Sequence, residues 1–378
     1  MRIEQILWDS LGVSQETGSR GPCEDPQLVL AFAAPQLLRD AETWRRLRER
    51  WPRATLVAGS TAGEICGTHV HDDTVVATAI QLQKSRLRCT RVDVAEIPDS
   101  ETIGKILAER LRGPDLRHVF VLSDGLKVNG SALVRGLAAG LPQGVAVTGG
   151  LTGDGPRFER TYVCLDGPSE AHNVVAVGFY GAELRVGIGS MGGWDPFGPE
   201  RRVTRSEGNV LYELDGQPAL ALYEKYLGEH AAALPASGLL FPLAVRAEGE
   251  ASAVVRTILA VDRTRGSLTF AGDVPQGHFA RLMHANFDRL VDGAAGAARC
   301  SMTLGAEPAE LAILISCVGR KLVLQQRVEE EVESVRGILG ADAIMTGFYS
   351  YGEISPFTPE ARCELHNQTM TITALSEG

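Results

Sequence analysis

Three stretches of this chain repeat one order of events, and that repetition restricts the fold more than any other property of the sequence. The first opens with an apolar run, Leu28 to Ala34, followed by a helix-like stretch, Pro35 to Arg50. A second apolar run, Ala54 to Ala58, then leads into the turn Gly59-Ser60-Thr61-Ala62-Gly63-Glu64. The second opens with His118 to Leu122 and Ser123-Asp124-Gly125. It passes a helix-like stretch near Gly130 to Leu141 and reaches Gly149-Gly150-Leu151-Thr152-Gly153-Asp154. The third opens with Leu311 to Val318, passes a helix near Gln325 to Leu339 and enters Gly347-Phe348-Tyr349-Ser350-Tyr351-Gly352-Glu353. An apolar run follows each turn. The pattern reads as a right-handed βαβ crossover and a return strand, spaced as structural repeats are.

The expected fold class is therefore α/β: duplicated β-α-β-β units forming two mixed-sheet domains, over residues 1–190 and 191–378. Residues 182–300 are less regular. They read as a helix near Gln217 to Leu227, strands at Leu239–Val245, Val254–Val261 and Ser267–Ala271, and a helix over Phe279 to Val291. A diverged fourth unit is one reading of that stretch.

Charge and composition exclude several classes. The chain has 37 Lys and Arg against 47 Asp and Glu, a net charge of −10. No basic footprint for nucleic acid or anionic lipid is present. No apolar run reaches the ~18–20 residues of a membrane helix, and Glu4 interrupts any secretory signal. The expected location is cytoplasmic. Seven cysteines without a C-x-x-C pair exclude a disulfide framework or zinc ribbon.

The candidate ligand residues follow from chemistry. Backbone N–H groups in glycine-rich turns hold anions, and Glu64, Asp154 and Glu353 could pair with an ammonium or amide. Ligands collect at the carboxyl ends of parallel strands, which adds Asp124 and Arg320, a possible carboxylate clamp. The candidate set is Gly59, Ser60, Thr61, Glu64, Asp124, Gly150, Thr152, Asp154, Arg320, Tyr349, Ser350, Tyr351, Glu353, His366 and Asn367. His366 could instead be a structural histidine bonded to backbone. His278 and His284 fall on the expected helix, six residues apart and so on different faces. Gly187-Ile188-Gly189-Ser190-Met191-Gly192 spells G-x-G-x-x-G, but the Pro-containing stretch after it cannot open the required helix.

The motifs AGSTAGE, GWDPFGPERRVTRSEGNVLYELDGQPALALYEKYLG, GRKLVLQQRVEEE, GFYSYGEISP and HNQTMTITAL together resemble the FIST family, with its FIST N and FIST C parts, from about Leu28 to Leu375. The resemblance implies a non-enzymatic intracellular sensory module that binds a small ligand. No output domain is recognisable in the chain, so its partner would be separate, such as a histidine kinase or cyclic-di-GMP enzyme. One branch of the family is similar to haem-binding nitric-oxide sensors, which makes haem b the cofactor to test, with His366 and His278 as axial candidates. An enzyme of unknown, hydrolytic type is the remaining alternative. Against it, no nucleophile–base or metal pattern stands at recognisable spacing.

Overall fold

A computed structural model describes the chain except residues 10, 11, 13, 170–171, 251–252, 303–307 and 357–362. Its organising fact is a six-part unit that occurs three times. Each has an opening strand, a first parallel strand, a helical crossover, a second parallel strand, a donated strand and a return strand.

In the first unit these are Arg2–Asp9, Leu28–Ala33, helices Pro35–Arg39 and Ala41–Arg50, Thr55–Ser60, Glu64–Cys66 and Thr74–Gln81. In the second they are Arg86–Asp93, Leu116–Ser123, helix Gly130–Gly140, Ala146–Leu151, Val163–Leu165 and Asn173–Tyr180. In the third they are Leu184–Met191, Leu311–Cys317, helices Val318–Leu324 and Val328–Leu339, Ile344–Ser350, Gly352–Pro356 and Met370–Glu377. The second and third units add a helix before the first parallel strand, Ser100–Leu111 and Phe287–Met302 respectively.

Each parallel pair is joined by its crossover, and each return strand runs antiparallel beside the first parallel strand. The fold is therefore α/β with mixed sheets, as expected. Strands such as Leu28–Ala33, Asn173–Tyr180 and Leu311–Cys317 are buried along their whole length. That is the pattern of sheets covered on both faces. Local chemistry sets the helix starts. Asp40, Asp99 and Asn129 accept the N–H of Glu42, Thr102 and Ala132, satisfying donors that a helix leaves unpaired. Asp40, in extended conformation, also breaks the expected single helix 35–50 in two.

The donated strands leave their own units. Glu64–Cys66 of the first unit pairs with Ile344–Ser350 of the third. Val163–Leu165 of the second pairs with Thr55–Ser60 of the first. Gly352–Pro356 of the third pairs with Ala146–Leu151 of the second. The exchange closes in a ring, and strands cross the 190/191 division in both directions.

Residues 195–284 form a separate body inserted between the opening strand and the helix Phe287–Met302 of the third unit. Its sheet runs through Asp195–Glu207, Val210–Leu214, Leu243–Arg246, Val254–Arg256, Ile258–Asp262, Ser267–Phe270 and Phe279–His284, and every strand pair in it is antiparallel. The helix Ala219–Leu227 packs on it. The fourth-unit reading is thus overturned, because among the described residues this body has no parallel crossover. The expected helix over 279–291 is also corrected: Phe279–His284 is a strand and the helix begins at Phe287.

The G-x-G-x-x-G stretch has a packing role. A Cβ at Gly187 or Gly189 would lie 1.8 or 1.9 Å from the Ser301 or Ala297 carbonyl oxygen. The bare backbone lets the helix Phe287–Met302 lie on the strand. Among the described residues no helix is long and apolar enough to cross a membrane.

Candidate functional site

The strand exchange brings the three glycine turns to one place. Gly153 donates its N–H to the Ser60 carbonyl at 3.0 Å, and Gly155 to that of Thr61 at 3.2 Å. Ala62 donates to the Tyr349 carbonyl and Tyr349 to that of Gly63, both at 2.8 Å, while Tyr351 donates to that of Leu151 at 3.0 Å. Gly59 and Gly150 permit this closeness. A Cβ on either would stand 2.9 Å from a methyl group, of Thr152 or Ile315.

The turn side chains do not line an open cleft, which corrects that part of the expectation. Ser60, Thr61, Glu64, Thr152, Asp154, Tyr349, Ser350, Tyr351, Glu353, His366 and Asn367 are all buried and bond to neighbouring side chains or to backbone. The physical reason is the exchange itself, which packs each turn against the next unit.

Two turns build the same carboxylate cage. Glu64 accepts from the Thr61 hydroxyl, the Thr74 N–H at 3.1 Å and the Thr74 hydroxyl at 2.7 Å. Glu353 accepts from the Ser350 hydroxyl at 2.6 Å, the Thr369 N–H at 3.1 Å and the Thr369 hydroxyl at 3.0 Å. Burial outweighs these donors and pushes both carboxyls up to about 7. In the folded chain they therefore hold protons that an unfolded chain releases near 4.5. Their contribution to stability is full below about 4.5 and is lost as pH rises through about 7. The expected result is a melting temperature that falls between pH 5 and pH 8. The double variant Glu64→Gln/Glu353→Gln, measured by thermal unfolding across that range, should show a flatter profile.

The other candidates resolve individually. Asp154 accepts the N–H groups of Phe158, Glu159 and Arg160 and the Tyr351 hydroxyl, and so organises its own loop. Thr152 donates its hydroxyl to the Ser123 carbonyl at 3.0 Å. Arg320 is no exposed clamp. It is fully buried, and its Nε and Nη2 meet one oxygen of Glu331 at 3.0 and 2.7 Å. Ser316 and Tyr349 donate to the other oxygen of Glu331. His366 Nε2 lies 2.8 Å from the Ser355 carbonyl, and burial lowers its pKa to about 4. It is the backbone-bonded histidine of the plainer reading. Asn367 donates to the Tyr351 carbonyl at 3.3 Å.

Asp124 acquires a partner that sequence reasoning missed. It is fully buried, accepts from the Thr161 hydroxyl at 2.9 Å and lies 2.7 Å from Nδ1 of the part-exposed His172. A signal existed: His172 immediately precedes the return strand, which antiparallel pairing sets beside the carboxyl end of the first parallel strand.

A FIST N domain model matches residues 27–217 and a FIST C domain model matches 219–356. The chain belongs to the FIST family. FIST domains are sensory domains of signal transduction. The boundary between the two matches falls inside the inserted body. This FIST chain is 25% identical over 217 residues to an uncharacterized protein of Methanocaldococcus jannaschii, covering 53% of the chain and 41% of that protein. It is 26% identical over 250 residues to an uncharacterized protein of Mycobacterium tuberculosis, covering 63% of each. It therefore spans less than two thirds of either relative. Among solved structures, cyanuric acid hydrolase from A. caulinodans aligns over 93% of this chain and 90% of its own, at 10% identity and a TM-score of 0.30. A likeness of that size carries no argument about activity.

The FIST chain does have an open cleft, elsewhere. A space of about 850 Å³ separates the inserted body from the helix Gly130–Gly140 and the strand Cys363–His366. Val134, Ala138, Val245 and Val254 give it apolar walls, while Arg135, Arg246, Arg256 and His278 line it as well. Haem needs an apolar slot with an axial ligand. His366 does not fit, being enclosed and engaged with Ser355. His278 fits in kind, as an imidazole on this cleft, and would be the residue to hold the iron. Haem would supply the gas-binding centre there. Among the described residues no group of three or more His, Cys, Asp or Glu side chains stands ready for a metal ion.

Proposed function

We propose that this FIST chain is a non-enzymatic intracellular sensor that binds a small ligand in the cleft between the inserted body and the second unit. It then signals through a separate partner, with a histidine kinase or cyclic-di-GMP enzyme as the partner class the family resemblance suggests. The carrying observation is that the cleft's two walls belong to different bodies. Asn129 and Arg135 on one side bond Asp273 on the other, and Arg256 reaches the Leu365 carbonyl. A ligand touching both walls favours one spacing of those bodies over others, which is the differential affinity that any switch requires.

The test begins with protein taken straight from cells. Native mass spectrometry should find a small-molecule mass on the wild type and none on Ala138→Trp, whose indole fills the cleft from an exposed helix position. Retention of that mass by a folded Ala138→Trp protein would refute the cleft as its site.

One observation favours a haem form of this reading, namely His278 on the cleft. A Soret band that moves with nitric oxide, disappears in His278→Ala and persists in His366→Ala would establish it. The Asp124–His172 pair is the arrangement an enzyme reading would need, since a buried carboxylate orients a reachable imidazole. Turnover abolished by His172→Ala would replace the sensor reading.

A further inference from the structure

We propose that the cleft takes a monocarboxylate with an apolar body, and that its head group pairs with Arg256. The inference rests on the cleft being the ligand site and adds the ligand's chemistry.

Arg256 ends the strand Val254–Arg256 and is 5% exposed. Its Nε donates to the Asp273 carbonyl at 2.9 Å, and its Nη1 to the carbonyls of Leu365 at 2.8 Å and Val255 at 3.4 Å. Carbonyls orient a guanidinium, and the carboxylates that attract this one, Glu364 and Asp273, do so only from beyond ion-pair distance. Among the described residues no carboxylate lies within 4.0 Å of it. Arg320 shows the contrast: fully enclosed, it is met by Glu331. A buried charge with no counter-charge in contact is costly, and a bound anion would reduce that cost.

The neighbouring charges are already matched. Asp273 directs its two carboxylate oxygens to Asn129 at 3.0 Å and Arg135 at 2.9 Å, so it offers Arg256 only its carbonyl. Arg246 holds both oxygens of Glu200 at 2.6 Å. Of the three arginines on the cleft, Arg256 alone lacks a carboxylate partner among the described residues. Burial lowers its pKa to about 10, which keeps it charged at neutral pH.

Gly272 makes the cradle. A Cβ there would lie 2.9 Å from Nε and 3.0 Å from Cζ of Arg256, so only a bare backbone lets the guanidinium lie flat at this spot. The rest of the cleft selects against highly charged ligands. Glu250 and Glu364 line it and repel a second negative group, while Val134, Ala138, Ala139, Val245, Val254 and Leu365 offer apolar surface. Its volume exceeds a bare carboxylate many times over. One negative head and a hydrocarbon body match both features.

The experiment titrates the full chain by calorimetry with decanoate, decanamide, acetate and hexyl phosphate. Decanoate should bind saturably, with decanamide, acetate and hexyl phosphate each at least about tenfold weaker. Gly272→Ala and Arg256→Lys, checked for folding by circular dichroism, should each weaken decanoate about tenfold or more, and Ala138→Trp should abolish it. Equal binding of decanoate and decanamide, lost in Ala138→Trp, would overturn the charge pairing and leave the cleft reading intact. So would tighter binding of hexyl phosphate than of decanoate, or decanoate binding unchanged in both cradle variants. No binding of any probe, with no cell-derived mass displaced by Ala138→Trp, would overturn both together.

Discussion

A chain divided between residues 190 and 191 should give two fragments that do not fold separately and that recover a native fold when co-expressed. The expectation follows from the exchanged strands. Fragment 1–190 would lose Gly352–Pro356 from beside Ala146–Leu151, exposing a bare edge in the second unit's sheet. It would also leave its own Glu64–Cys66 without the Ile344–Ser350 strand it pairs with. Fragment 191–378 would lack both Glu64–Cys66 and all but the last residue of Leu184–Met191, the neighbour of Met370–Glu377. Unpaired edges of this kind template aggregation. Size-exclusion chromatography and circular dichroism of each fragment, alone and together, check the result. A soluble, cooperatively melting fragment 1–190 would contradict it.

Arg320→Met should be the most destabilising single substitution in the third unit. It strands the Glu331 carboxylate, fully enclosed beside Ser316 and Tyr349, without its cation. Removing one member of a buried ion pair costs about 3–5 kcal/mol. It would also release the Gly192 and Leu290 carbonyls that Arg320 holds where the inserted body joins the third unit. Glu331→Gln should be damaging as well, because it leaves an unmatched guanidinium. The double variant Arg320→Met/Glu331→Gln should be less destabilised than the sum of the two, since each change removes the other's stranded charge. Urea unfolding of the four proteins measures this directly, and additive losses would show that the pair is not coupled.

The repeats were legible because they are local. Apolar runs, helix-like spacing and glycine turns all lie within a few tens of residues of one another. The exchange was not, because Glu64–Cys66 is only three residues long and nothing in it names a partner some 280 residues away. The fourth-unit reading failed for a related reason. Apolar runs such as Val254–Val261 look alike in a parallel crossover and in an antiparallel meander. The stretch Phe279–His284 was read as helix although Ala280 and Leu282 point inward and Arg281 outward, an alternation hidden by the apolar helix just beyond it. At the site, the meeting of the three turns was readable from their recurrence, but their burial was not. The cleft was out of reach, because its walls come from separate segments near 131–139, 245–256, 273–278 and 363–365. Arg256 looked like any other arginine until its neighbours were known.

The cyclic loan of strands has an evolutionary corollary. No third of this protein could be excised and shuffled into another gene as a working module, because each would arrive missing a piece and carrying someone else's. The duplications that made it must have become mutually dependent, and the trio can now be inherited only whole.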